Sequence, residues 1–194
     1  MLSGLILAGG KSSRMGRDKA GLMLPDGRSL LQRQADVLRE AGATRLVLSI
    51  RPESENQLAG AILVRDAMED AGPLAGIAAG LRAAGDGLVL VLAVDMPRVD
   101  SAHLRQLQAL ATPGRGVVPV VDGNLEPLVA VYPARLSGSA EAALAGGQRA
   151  VHAWVRAEAG AGRVQLWDAP TEWTEAVRSW NTPADLPPAQ NGFI

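Results

Sequence analysis

Short, continuous apolar runs alternate along the chain with longer stretches whose apolar positions return at helical spacing. The runs at residues 2–7, 46–50, 61–64 and 88–94 predict strands, the first of them a buried parallel strand that ends at a glycine pair. The run at 88–94 is the longest and is wholly apolar, which places it centrally in a sheet. Leu30, Leu31, Gln34, Val37, Leu38 and Ala41 line one face of a helix that Ser29 caps and Gly42 ends. An extended piece at 22–24 and a turn at Pro25-Asp26-Gly27 precede it, and a short polar helix is expected after Arg51-Pro52. Gly72-Pro73 opens a further helix through Leu81, with proline early, where a missing N–H costs nothing.

The second half predicts helices at 101–110, 134–145 and 149–157 and strands at 116–121, 128–132 and 164–167. Pro119, Pro127 and Pro133 argue that the strands around them lie towards an edge or in a mixed-direction flap. Alternating β and α segments specify a parallel sheet with right-handed crossovers, and ligands bind beyond the carboxyl ends of such strands. The loops starting at Ala8, Ser49, Asp66 and Asp95 should therefore share one edge. The expected architecture is a single α/β domain, Rossmann-like, over residues 1–186, its mostly parallel sheet flanked by helices. Residues 187–194 read as a flexible tail.

Composition narrows the function. With 194 residues, 47% hydrophobic and 20% charged, the chain can bury a substantial core. A net charge of −1 argues against bulk attraction to nucleic acid, so any anion must be bound by a local cluster. The absence of cysteine removes disulfides, thiolate metal sites and cysteine nucleophiles. No signal-peptide pattern opens the chain and nowhere do 18 apolar residues run together, so a cytoplasmic protein without a membrane partner is expected.

One loop carries such a cluster. After Leu5, Ile6 and Leu7 the chain reads Ala8, Gly9, Gly10, Lys11, Ser12, Ser13, Arg14, Met15, Gly16, Arg17, Asp18, Lys19. Glycines let backbone N–H groups approach a ligand and cations neutralise anions, so the loop suits a nucleoside triphosphate. Two commoner phosphate motifs are excluded. A P-loop needs glycine where Leu5 stands, and a dinucleotide GxGxxG needs one where Lys11 stands.

The stretch LILAGGKSSRMGRDKAGL resembles the LAGGxSxRMGxDK signature of the nucleotidyltransferases related to molybdenum cofactor guanylyltransferase, the MobA family. The resemblance implies a nucleotidyltransferase fold with nucleotide bound by Leu7, Ala8, Gly9, Gly10 and Lys19, and with Arg14 and Lys19 acting in catalysis. AGG is closer to the guanylyl branch, whereas the cytidylyl branch more often reads AAG. AVDMP resembles the metal-binding aspartate motif. Independently of it, Asp95 is a lone carboxylate at the tip of a buried strand, suited to Mg²⁺ held by one or two carboxylates and substrate phosphates. Asp66 in VRDAMED resembles the family aspartate near the nucleotide, and GPLAGIAAGL matches the segment after it. Ser49 stands where related guanylyl enzymes often carry asparagine. LEPLVAVY, residues 125–132, resembles the EPLxAxY segment bordering the second substrate, and Asn181 lies in NTPADL, similar to the closing NTPxDL motif.

Other residues read as structural. His103 and His152 stand singly in helical segments without metal-ligand spacing, and no GxSxG is present. Trp154, Trp167, Trp173 and Trp180 suit core or edge packing better than a pterin-binding surface, and Arg149 and Arg156 share a helix face that suits an anionic cofactor.

The family likeness implies transfer of GMP from GTP to molybdopterin, with Mg²⁺ as cofactor. Cofactor-insertion proteins or apo-molybdoenzymes would receive the product. A cytidylyltransferase acting on molybdopterin or another phosphorylated small molecule, and a nucleotide-binding protein without turnover, are the alternatives.

Overall fold

The computed structural model describes residues 1–9, 19–65, 72–180 and 185. Eight strands form one mixed sheet: β1 (Leu2–Leu7), β2 (Arg45–Ile50), β3 (Ile62–Arg65), β4 (Leu88–Ala93), β5 (Gly116–Val121), β6 (Asn124–Leu125), β7 (Val129–Pro133) and β8 (Val164–Asp168). Their order is β3-β2-β1-β4-β7-β5-β6, with β8 also paired to β5. The pairs β1–β2, β1–β4, β2–β3 and β5–β8 are parallel, while β4–β7, β5–β7 and β5–β6 are antiparallel. The first half is thus the parallel arrangement expected, and the sheet reverses direction beyond β4.

Helices α1 (Leu30–Glu40), α2 (Pro73–Ala84), α3 (Ser101–Leu110), α4 (Ser137–Ala145) and α5 (Val151–Gly160) cover both faces. Alternate residues of β1 separate the two cores. Ile6 packs with Leu30, Leu38, Leu104 and Leu107 of α1 and α3, whereas Leu5 and Leu7 pack with Leu74, Ile77 and Leu81 of α2. A strand covered on both faces has no polar positions to spare, which explains the unbroken apolar runs. Ser29 and Gln32 form a capping box at the start of α1, at 3.1 and 2.9 Å. Asp100 accepts the Ala102 and His103 N–H groups at the start of α3. Among the described residues no helix is long and apolar enough to cross a membrane.

Helix α2 approaches the sheet closely because two glycines, one turn apart, face it. A Cβ on Gly80 would stand 2.3 Å from Leu5 Cδ2, and one on Gly76 would stand 2.8 Å from Ser49 Oγ.

Three expectations need correction, and two short elements are additional. The 51–61 stretch contains no helix. Ser54 N–H bonds to the Arg51 carbonyl, Ser54 Oγ accepts from Asn56, and Arg65 occupies the Pro52 and Ser54 carbonyls at 2.6 and 3.0 Å. Side chains that bond to nearby backbone in this way compete with helix formation. Of the two placements expected for the proline-flanked strands, the mixed direction holds for β7, which is antiparallel to β4, and the edge does not: β7 is interior, because Pro133 is its last residue and Pro127 precedes it, so neither interrupts the ladder to β4. A two-residue strand, β6, joins β5 through Asp122 and Gly123, both at positive φ, as a tight hairpin requires. The 134–145 helix is a 3₁₀ turn, Ala134–Leu136, followed by α4, and a short helix, α6 (Trp173–Ala176), follows β8.

The glycine contact gives a signed prediction. Alanine is a better helix former than glycine by up to about 1 kcal/mol, but forcing a methyl into a packed core costs roughly 1–3 kcal/mol. Gly80→Ala is therefore expected to lower the thermal midpoint by about 2–6 °C, and a raised midpoint would show that Leu5 yields freely.

Candidate functional site

The parallel registers bring four chain exits to one edge. Leu7 of β1 is level with Ser49 of β2 and Ala93 of β4, and Ser49 is level with Val64 of β3. Adjacent exits are therefore about 4.8 Å apart across the sheet. The ladder extends one residue beyond β1 on each side: Ala8 N–H donates to the Ser49 carbonyl at 2.8 Å, and Val94 N–H donates to the Leu7 carbonyl at 3.0 Å. Ala8 and Gly9 thus leave the sheet beside Val94 and Asp95, and β3 ends with Arg65, level with Ile50 of β2.

Asp95 is partly exposed, and its backbone is tightly held. Gln34, fully buried on α1, donates from Nε2 to the carbonyls of Ala93 and Met96, each at 3.0 Å. Its Oε1 accepts from Arg33 Nη1 at 2.9 Å, and the same nitrogen bonds to the Val99 carbonyl at 3.0 Å. Burial lowers the Arg33 pKa from its ordinary value. The Asp95 carbonyl accepts from Trp180 N–H at 2.8 Å, which ties the start of the C-terminal segment to this loop. Gln34 reads in sequence as one more member of a helix face, and only the folded chain shows it clamping both sides of Asp95.

The remaining sequence-derived residues divide. The Leu7 side chain is buried against α2 and its carbonyl is used by Val94, so it contributes position. Ser49 is 2% exposed, and its hydroxyl lies against Gly76, so its side chain supports α2 while its carbonyl holds Ala8. A Cβ on Gly9 would meet Arg51 Cγ at 3.6 Å, an ordinary contact that sets the Arg51 stem beside the loop. Arg51 pairs with Glu53 at 3.0 Å, and no sequence motif singles this cation out. Lys19 begins a 3₁₀ turn, Lys19–Gly21. Gly10, Arg14, Asp66 and Asn181 lie outside the described residues, as do Glu69, Asp70 and the 187–194 tail.

Glu126 was legible only as part of a motif. It lies between β6 and β7, its N–H bonded to the Pro119 carbonyl at 2.9 Å. Because β7 runs antiparallel to β4, the start of β7 meets the end of β4: Ala93 N–H donates to the Leu128 carbonyl at 2.9 Å. Glu126 and Asp95 each lie two residues from that rung. The Glu126 side chain is half-buried, and burial raises its pKa to about 7.

His103 and the tryptophans pack in the fold, and His152 is exposed. His103 bonds to Asp100 at 2.7 Å and packs edge-on against Trp173, while Trp154 packs against Tyr132 and donates to Ser139. Trp173 is buried and donates to Gln106, Trp167 meets it edge-on, and Trp180 is 7% exposed. Arg149 is bonded to the Leu144 carbonyl. Among the described residues no three His, Asp or Glu side chains gather into a metal cage.

Comparisons with known proteins agree with this geometry. Residues 4–161 match the family model of the MobA-like NTP transferase domain. A probable molybdenum cofactor guanylyltransferase of Opitutus terrae is 41% identical over 187 residues, 95% of this chain and 92% of that one. A molybdenum cofactor guanylyltransferase of Pseudomonas putida is 36% identical over 149 residues, 76% of this chain and 78% of that one. Among solved structures, molybdopterin-guanine dinucleotide biosynthesis protein A from Archaeoglobus fulgidus superposes with a TM-score of 0.71 at 26% identity, covering 98% of this chain and 97% of its own.

Two outcomes follow. Gln34→Leu leaves the Ala93 and Met96 carbonyls with only the long backbone bonds from Met96 N–H, at 3.4 Å, and Val99 N–H, at 3.3 Å, and is expected to cost about 2 kcal/mol, lowering the midpoint by about 4–8 °C. An unchanged midpoint would remove Gln34 as a clamp. For Glu126, the folded pKa stands above the unfolded value, so the folded state holds the extra proton between about 4.5 and 7. The stability contributed by that proton is present below the unfolded pKa and lost as pH rises through about 7. Relative to Glu126→Gln, the wild type should lose roughly 1–2 kcal/mol between pH 5 and 8, a value discounted for half exposure. A pH-independent difference in midpoint would contradict this.

Proposed function

Because the chain belongs to the family of MobA-like NTP transferase domains, we propose that it transfers GMP from GTP to molybdopterin, preferably carrying molybdenum. The products are the molybdopterin guanine dinucleotide form and pyrophosphate. The observation that carries this reading is the register that sets Ala8 and Gly9 beside Val94 and Asp95 at one sheet edge.

The acceptor is a phosphate monoester. Its second pKa is near 6, so it is largely ionised at neutral pH and needs no general base. An acceptor oxygen attacks the α-phosphorus of GTP in line, forming the new P–O bond as the bond to the bridging oxygen of pyrophosphate breaks. The electron pair leaves with pyrophosphate. Repulsion between anions is the chief obstacle, so alignment and neutralisation do most of the work. Backbone N–H groups of Gly9 and Gly10 and the cations Arg14 and Lys19 hold the triphosphate, and Asp66, directly after β3, accepts N–H donors of the base. Leu7, Ala8 and Ser49 serve through backbone position, and Asn181 closes the site from the C-terminal side.

Asp95 fits Mg²⁺: it is a hard oxygen donor at the sheet edge and partly exposed, suited to a dication held by one or two carboxylates and substrate phosphates. When bound, Mg²⁺ supplies charge neutralisation at the triphosphate oxygens. On this reading residues 1–186 form one catalytic domain working in the cytoplasm, and insertion proteins or apo-molybdoenzymes take its product.

The test pairs binding with turnover. In Mg²⁺, GTP at about 100 times its Kd should raise the midpoint by about 5–10 °C, with ATP and CTP giving less. A larger CTP response would replace guanylyl with cytidylyl transfer. Asp95→Asn should keep the fold and reduce GMP transfer by about 10² or more, and wild-type turnover would remove Asp95 from the site.

A further inference from the structure

Glu126 is a carboxylate without a job in the fold. Most acids of this chain for which the structure shows a partner face a cation or a helix start: Asp26 and Asp36 face Arg28, Glu53 faces Arg51, Glu158 faces Arg163, Glu175 faces Arg98, and Asp100 caps α3. The Glu126 side chain has no hydrogen-bond or ion-pair partner among the described residues, although half of it is out of water. Its backbone is fixed on both sides, by the Pro119 carbonyl and by Val129 N–H, which donates to the Glu126 carbonyl at 3.3 Å. Half-burying a carboxyl with no partner is unfavourable, and holding it rigidly at the edge where Asp95 emerges suits a group reserved for a ligand.

A carboxylate has two oxygens that accept two parallel N–H bonds. The complementary chemistry is a 2-amino-4-oxopyrimidine edge, which offers a ring N–H beside an exocyclic amine. Both substrates of the proposed reaction present that edge, guanine in GTP and the pterin in the acceptor. Strand order distinguishes them. The glycine-rich loop leaves β1 and the base-reading candidate Asp66 follows β3, whereas Glu126 precedes β7, on the far side of β4. From β3 to β7 is four strand steps, about 19 Å. A guanine held near β3 cannot reach Glu126, whereas an acceptor approaching the α-phosphate from the opposite side meets it.

We propose that Glu126 recognises the pterin of the acceptor, accepting its ring N–H and exocyclic amine, and so sets acceptor specificity. This rests on the guanylyl-transfer reading. The test uses the full chain, wild type and Glu126→Gln, with GTP, Mg²⁺ and molybdopterin freshly released from a molybdoenzyme. An amide presents only one acceptor, so Glu126→Gln should raise the KM for molybdopterin about tenfold or more while leaving the KM for GTP and the GTP-induced midpoint shift as in the wild type. Glu126→Asp, which keeps the carboxylate on a shorter stem, should recover part of the loss. An unchanged KM for molybdopterin, with normal wild-type transfer, overturns this role and leaves the reaction standing. A raised KM for GTP alone assigns Glu126 to guanine and also overturns it. A wild type that transfers no GMP overturns both.

Discussion

The structure depends on the parallel pairing of β1 with β2 on one side and β4 on the other. Level registers at Leu7, Ser49 and Ala93 place segments far apart in sequence side by side, and the two bonds beyond the strand, Ala8 to Ser49 and Val94 to Leu7, carry that alignment into the loops. A one-residue slip of either neighbour would turn its apolar side chains to the wrong core. The packing of Ile6 towards α1 and of Leu5 and Leu7 towards α2 therefore holds the site in register as well as the fold.

Around this frame two devices fix the chemistry. Gln34 satisfies carbonyls on both sides of Asp95 from a position wholly out of water, so the loop is held by a helix that itself sits on the sheet. The reversal between β4 and β7 brings the start of one strand to the end of the other, which is why Glu126 and Asp95 share an edge although one lies before its strand and the other after.

Much of this was legible in the amino-acid order. The helix at 101–110 and the strand at 116–121 match the observed bounds, since Asp100 is a strong cap and the strand is bounded by glycine and the Asp-Gly turn. The position of Asp95 follows from an apolar strand that ends in a single acid. Other features were hidden for physical reasons. Prolines at 127 and 133 suggested an edge strand, but both fall outside the ladder's interior. Residues 51–61 carry helix-compatible polarity, yet Arg65 takes the carbonyls that a helix would need. Gln34 is one amide on an amphipathic face, and its task exists only once two distant carbonyls arrive beside it. The cations of the 10–18 loop were legible as chemistry, while their arrangement lies outside the described residues.

The change of strand direction beyond β4 also bears on how such a protein changes over time. On the proposed reading, the groups serving the nucleotide follow parallel strands whose registers are mutually constrained. The segment carrying Glu126 is instead a hairpin return, closed by Asp122 and Gly123 and held by its pairing to β5, by the bond from Glu126 N–H to the Pro119 carbonyl and by the buried Tyr132 hydroxyl on the Pro127 carbonyl. Exchanges at the exposed Asp122-Gly123 turn touch no rung of the pairing of β1 with β2 and β4. On the proposed reading the fold divides into a donor half and an acceptor half, so a lineage could acquire a new acceptor without rebuilding its grip on the nucleotide.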